Sequence, residues 1–458
     1  MTTVITTSEA QSLEDRVRAL LSEGDADSLR EALVDRHPRD VAEVLGRLPA
    51  GQRLAVFRAV PLSDAPRVLA ETDQATTRQL VEALPVEETA RLLDRLPMDD
   101  AAEILSEDVP DRREELLEAM TDKDAQEVRD LLGYPPESAG RLMTERFVRI
   151  QPDMTAAEVL VHLRSVDADA ETFTDLYSLD KNGRLEGVVS LREVVVAPPG
   201  SPIRELLTAE VVAVTAETDQ EDVARLISRY DYLALPVVSD DGQMLGVITV
   251  DDVIDVIVQE AGEDILKFGA AETGGVLNEP YFSVSIPRVV RKRFGWLLLL
   301  FVAETATGTV LRHFESELAQ VVALTFFIPL LIGTGGNTGA QTVSNLIRGL
   351  ALRDIRLSDW VRILRRELLS GLLLGLSLGA VGFVRALLWG SSVNLSLVVG
   401  LSLVAICTWA NTIGSLIPLV AQRFRIDPAV ISAPLITTLV DATGLAIYLL
   451  IAKVVLNL

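Results

Sequence analysis

Asp441 is the residue whose placement demands chemistry. It lies about 13 residues into an apolar run from Pro428 to Leu456, or about 20 Å along a helix at about 1.5 Å per residue. That depth is the middle of a run long enough to cross a hydrocarbon core. A carboxylate there is costly unless it is paired, protonated or wet. Its neighbours Thr437, Thr438, Ala442, Thr443 and Gly444 are small or polar and suit a water-filled path for a cation. The alternative is a protonated acid hydrogen-bonded between helices. A second run carries Gly333-Thr334-Gly335-Gly336-Asn337-Thr338-Gly339-Ala340-Gln341. Glycines this dense weaken a helix and admit close backbone approach or exposed carbonyls; tight helix packing is the other reading. Asn411, with Thr408 and Thr412, gives another run a polar face, and Glu304 is either a pore acid or the partner of a nearby base. The expected pore lining, besides Asp441, is Gly335, Gly336, Asn337, Gln341, Asn411, Thr437 and Thr438.

Five apolar runs must position these residues: Trp296–Leu311, Ala319–Leu346, Leu368–Trp389, Leu395–Val420 and Pro428–Leu456. The first is marginal in length unless Phe294 and its neighbours join it. Basic residues alternate between the ends of the runs. Arg288, Arg291, Lys292 and Arg293 precede the first; Arg348, Arg353, Arg356, Arg362, Arg365 and Arg366 separate the second and third; Arg423 and Arg425 separate the fourth and fifth. This pattern predicts a multi-pass protein of the plasma membrane, in contact with lipid, with its N-terminal domains cytosolic and its C-terminus outside.

Charge divides the chain at the same place. From residue 286 onward there are 15 Lys and Arg against 8 Asp and Glu, whereas the first 285 residues hold 27 basic and 58 acidic residues. So acidic a surface is unsuited to nucleic acid, whose phosphates need cationic partners, and suits cations. The single cysteine, Cys407, permits no disulfide within the chain, as expected of a reducing compartment.

The acidic part begins with a repeat of period 12. Apolar doublets recur at Val44-Leu45, Val56-Phe57, Val68-Leu69, Leu80-Val81, Leu92-Leu93 and Ile104-Leu105, with Pro49, Pro61, Asp73, Pro85 and Pro97 at the boundaries. Val41, Val44, Leu45 and Leu48 have helical spacing, and proline suits a first helical turn. Short helices that each bury one stripe must stack, which predicts an all-α solenoid over residues 1–132. Two later stretches, Leu176–Val195 and Leu235–Ile254, share a pattern of strand, turn at Asn182-Gly183 or Asp241-Gly242, strand and helix. They resemble a tandem pair of cystathionine-β-synthase (CBS) domains, α/β in class, over residues 138–200 and 201–258. A helix from Asp251 to Lys267 follows, with Asp252, Asp255, Gln259 and Glu263 on one face. It opens a linking segment, residues 251–285, ahead of an all-α five-helix transmembrane domain over 286–458.

This order of parts, with Gly335-Gly336-Asn337-Thr338-Gly339 and the stretch Pro434–Gly444, resembles the MgtE family of magnesium channels and transporters. The resemblance covers essentially the whole chain. It implies a homodimer in which Asp441 of both subunits binds Mg²⁺, which physically suits an ion that surrenders water reluctantly. It implies that Mg²⁺ is also a regulator, held by Asp99, Asp100 and Glu103 of the solenoid, Asp231, Asp252 and Asp255 of the CBS pair, and Glu260, Glu263 and Asp264 of the linking (plug) helix. When cytosolic Mg²⁺ falls, repulsion among these acids would open the path. Ala340 stands where relatives often carry Asn, so no role passes to that side chain. CBS modules often bind adenosine nucleotides such as ATP, and Thr249 and Asp252 match the Thr-x-x-Asp pattern of such sites, in competition with Asp252 as a metal ligand. The expected function is Mg²⁺-selective, channel-like uptake driven by membrane potential. Transport of Co²⁺ or Mn²⁺, or a membrane sensor under CBS control, are the alternatives. No enzyme is expected: no Walker motif and no His-Glu-x-x-His occur, and His37, His162 and His313 are the only histidines.

Overall fold

Stacked short helices, two small sheets and five long apolar helices succeed one another along the chain, as the periodicities require. The structure, a computed structural model, describes residues 8–165, 170, 172–269, 284–351, 354–424, 426 and 431–458. Residues 1–7 of the solenoid, most of the connector after Gly269, and Arg353, Arg425 and Pro428 lie outside the described residues. The described chain forms two compact units.

In the first unit the period of 12 becomes a chain of short helices. Pro49, Asp73, Pro85 and Pro97 each stand at a helix N-cap, and the Asp73 carboxylate accepts from Thr76 N at 3.1 Å. Every apolar doublet from Val44-Leu45 to Ile104-Leu105 is buried in one continuous core. Helix α1 (Met98–Glu103) carries Asp99, Asp100 and Glu103.

Two three-stranded sheets follow. In the first, β1 (Phe147–Ile150) pairs parallel with β2 (Thr172–Leu179), which pairs antiparallel with β3 (Leu185–Ser190). In the second, β4 (Val214–Thr215), β5 (Ala234–Val238) and β6 (Met244–Thr249) repeat the arrangement. Gly183 and Gly242 take positive φ in the two equivalent turns. Gly187 and Gly246 hold equivalent places in β3 and β6, where a β-carbon would stand 3.0 Å from Thr208 O and 2.6 Å from Thr144 O respectively. Those segments bond to Val188 and Val247, so each glycine admits a strand-like segment from beyond its own sheet. Helix α2 (Gln220–Tyr230) packs on the second sheet, and α3 (Val250–Phe268) is the acidic linking helix. The division between the two units falls within α3, after Glu260.

The second unit is helical. Five segments among the described residues are long and apolar enough to cross a membrane: Ile286–His313, Val322–Leu350, Leu357–Leu388, Val393–Arg423 and Ala433–Leu456. Within them run α4 (Ile286–His313), α6 (Ile328–Ala351), α7 (Trp360–Leu388), α8 (Val393–Arg423) and α9 (Ala433–Leu456), with a short α5 (Glu315–Gln320) after α4. The first span starts at Ile286 rather than Trp296, because Ser285 and Pro287 begin the helix ahead of its basic turn. Helix α6 passes unbroken through the glycine-rich motif, so Gly335, Gly336 and Gly339 serve helix packing rather than unwound backbone.

Candidate functional site

The glycines of α6 bring α9 and its acid close. A β-carbon at Gly335 would stand 2.6 Å from Ile406 Cγ2 and 3.0 Å from Val440 Cγ1; at Gly339, 3.0 Å from Ile436 Cγ2; at Gly336, 3.3 Å from Thr437 Cγ2 and 3.5 Å from Asp441 Oδ1. Three glycines on adjoining faces thus seat α9 and α8 against α6 at backbone distance. Asp441 is half-buried in this seam, beside Thr437 and a bare stretch of α6 backbone. The indole of Trp409 donates to Thr443 Oγ1 at 2.9 Å, tying α8 to α9 two residues beyond Asp441. Helix α4 packs on α9 and brings Glu304 near enough to Asp441 for the two charges to interact. Two carboxylates at mid-depth repel each other and attract a cation.

The remaining expected lining residues are more dispersed. Thr438 is half-buried on α9, and Asn337 is exposed on α6. Asn411 and Gln341, expected to line the pore, line a cavity between α6, α7 and α8 on the side of α6 away from Asp441. The physical reason is helical periodicity: residues 338, 341, 342 and 345 of α6 face away from Gly336. Asn411 is almost fully buried there, accepting from Thr342 Oγ1 at 2.9 Å and donating to Glu367 Oε2 at 3.2 Å.

The far end of α9 is fixed by contacts that the apolar pattern did not disclose. Lys453 Nζ donates to Glu317 Oε1 at 2.7 Å, and Ser316 Oγ donates to Glu317 Oε2 at 2.7 Å. Tyr448, fully buried, donates to Leu324 O at 2.9 Å. A lone lysine in the last turns of the final span, with two acids in the short α5, was the available signal. At the other end, Phe268 of α3 packs on a cluster containing Val343, Ala410, Ile436 and Val440, one residue before Asp441.

The acids expected to bind a regulatory ion are spread along the first unit and α3. Asp99 is buried on α1, Asp100 half-buried and Glu103 exposed. Asp231 takes a left-handed conformation at the end of α2. The Thr249 hydroxyl donates to Asp252 Oδ2 at 2.6 Å at the start of α3, so the Thr-x-x-Asp pair is itself bonded. Gln220 Nε2 donates to Glu260 Oε1 at 2.7 Å, and Lys267 pairs with Glu263 at 2.8 Å. Asp255 and Asp264 also lie on α3. Among the described residues no three His, Cys, Asp or Glu form a group that could hold a metal ion directly.

A family model described as "Divalent cation transporter" (MgtE) matches residues 328–451. A curated relative, the Magnesium transporter MgtE of Thermus thermophilus, is 40% identical over 443 residues, covering 95% of this chain and 97% of the relative. The chain belongs to the MgtE family. The Magnesium transporter MgtE of Bacillus subtilis is 32% identical over 437 residues, covering 95% of this chain and 96% of that relative. The MgtE intracellular N domain model matches residues 36–137, and CBS domain models match 139–200 and 203–259. A solved structure of the cytosolic domain of the Mg²⁺ channel MgtE in complex with ATP has a TM-score of 0.51 at 36% identity, covering 53% of this chain and 99% of that chain. As an MgtE protein, the chain joins the N domain and CBS pair to five candidate spans, and the model for the transporter part encloses Gly335, Gly336 and Asp441.

Proposed function

We propose that this chain carries Mg²⁺ across the plasma membrane as a channel, with Asp441 as the ion-binding group of its pore. The observation that carries the reading is an acid at mid-span, packed against a glycine rather than against a base. A divalent ion gains about 4.6 kcal/mol per 100 mV of inside-negative potential, so no coupled energy source is required. Mg²⁺ keeps most of its water, and a carboxylate without a basic partner can hold such an ion through its water shell. A homodimer would set two such acids together. In support, only Thr307 of α4 is buried within the chain, leaving Glu304 and most of that helix to be covered by lipid or a second copy. The N-terminal domains are cytosolic in this reading.

Gating follows from the acids of the first unit and α3. Mg²⁺ held through its water shell by Asp99, Asp100, Glu103, Asp231, Asp252, Asp255, Glu260, Glu263 and Asp264 would favour a closed state, provided that state binds the ion better. Phe268 supports the coupling, because it ends the acidic helix on the cluster that includes Val440. The relative solved with ATP favours an adenosine nucleotide as a further ligand of the CBS pair, near Thr249 and Asp252.

Mg²⁺ uptake by a transport-deficient cell carrying either the wild type or Asp441→Ala tests the pore. We expect rescue by the first and none by the second; equal rescue would remove Asp441 from the path. Competition by Co²⁺ or Mn²⁺ in the same assay distinguishes a Mg²⁺ channel from a carrier of another divalent ion.

A further inference from the structure

A cavity of about 450 Å³ lies between α6, α7 and α8, on the side of α6 away from Asp441. Its charged lining is balanced, with Arg348 and Arg366 against Asp354 and Glu367. Arg348 is in the last turn of α6, Asp354 in the connection and Arg366 in the second turn of α7, which sets these three at the membrane–water boundary. Glu367 is held in place: Asn411 Nδ2 donates to its Oε2 at 3.2 Å and to its backbone O at 3.2 Å. Asn411 is 1% exposed and also accepts from Thr342, so the carboxylate is clamped by a buried, oriented amide.

Electrostatics narrow the occupant. Two guanidiniums oppose a divalent cation, and Glu367 opposes a simple anion. A zwitterion with a phosphate and a primary ammonium satisfies both, since guanidinium–phosphate and carboxylate–ammonium hydrogen bonds are charge-assisted. The cavity is not sealed from the bilayer: Leu374, one of its walls, is 44% exposed on the outer face of α7, with Leu373 and Leu369 beside it. An acyl chain has an apolar surface to follow from the cavity. We propose that this cavity holds the phosphoethanolamine headgroup of a bilayer lipid, its phosphate between Arg348 and Arg366 and its ammonium on Glu367. The assignment is independent of which ion the pore carries.

The test is lipid retention. Full-length protein is reconstituted in vesicles of equal parts phosphatidylethanolamine, phosphatidylcholine and phosphatidylglycerol, extracted in mild detergent and examined by native mass spectrometry. Phosphatidylethanolamine should be retained about tenfold over phosphatidylcholine, whose quaternary ammonium cannot donate a hydrogen bond to Glu367. Glu367→Gln should erase that preference. Arg366→Gln, at the exposed mouth, should weaken retention of phosphatidylethanolamine and serves should the first variant not fold. Equal retention of the three lipids, an unchanged preference in Glu367→Gln, or undiminished retention of phosphatidylethanolamine in Arg366→Gln overturns the proposal. Displacement of the lipid by millimolar free phosphoethanolamine would assign the cavity to a soluble ligand and overturn the lipid source.

Discussion

Gly336 of α6 lies directly against Asp441 of α9, so close that a single added β-carbon would stand 3.5 Å from the carboxylate Oδ1. The acid therefore sits where a neighbouring helix offers no side chain to pair with it or to crowd it. Gly336→Val should press on Thr437 and Asp441 and abolish Mg²⁺ uptake without loss of folded protein. Gly333, the first residue of the same motif, meets nothing within 4 Å, and Gly333→Ala should retain uptake. The helix gains up to about 1 kcal/mol from that alanine. Equal damage by both substitutions would mean the motif acts through backbone freedom and not through this contact.

A second stripe predicts a folding defect. Gly371, Gly375, Gly379 and Gly382 of α7 face α8, and a β-carbon at Gly379 would stand 2.7 Å from Gly400 O. Backbone cannot yield as a side chain does, so Gly379→Val should destabilise the spanning unit by about 1–3 kcal/mol or more. Fluorescence-detected size exclusion after a heating series is the measurement; an unchanged melting profile would show that α7 and α8 do not pack so closely.

Outside the spans, the Lys453 and Ser316 hydrogen bonds hold the Glu317 carboxyl well below its usual range, at about 2. A depressed acid contributes stability above its unfolded value and loses it as pH falls through the folded value. Glu317→Gln should therefore melt below the wild type at pH 7, with the gap closing as the pH is lowered toward about 2. A gap that is independent of pH would place the effect in packing instead of charge.

Burial acts in the opposite sense on Glu127 of the solenoid, whose carboxyl is pushed up, Arg146 only partly compensating. Its Oε1 is buried with no hydrogen-bond partner among the described residues. A raised acid costs stability at pH above its folded value, and the cost is relieved as pH falls toward the ordinary carboxylate range. Glu127→Gln should raise the melting temperature at pH 7.5 by a few degrees and by less at pH 5. A variant less stable than the wild type at pH 7.5 would show that the ionised form is the preferred one.

Much of the fold is legible because it rests on local periodicity. The doublets from Val44 to Leu105 are buried, and Pro49, Asp73, Pro85 and Pro97 cap helices, since a stripe must face a core and a proline suits a helix start. Asn411 and Gln341 were less legible. Each is a polar residue in an apolar run, and polarity alone does not say which of two interior spaces it faces. Glu367 and the Glu317–Lys453 pair were missed because their partners are far away in the chain, as 44 residues separate Glu367 from Asn411 and 136 separate Glu317 from Lys453.

What the sequence by itself determined is the succession of parts and the presence of an acid at mid-span: apolar length and helical spacing are properties of short stretches, and Asp441 stands in the middle of its own. Only the tertiary structure decided what that acid faces. Helix α6 could turn any side to α9, and it turns Gly335, Gly336 and Gly339, because only there do the backbones approach without a side chain between them; the same rotation directs Gln341 and the residues around it to a different cavity.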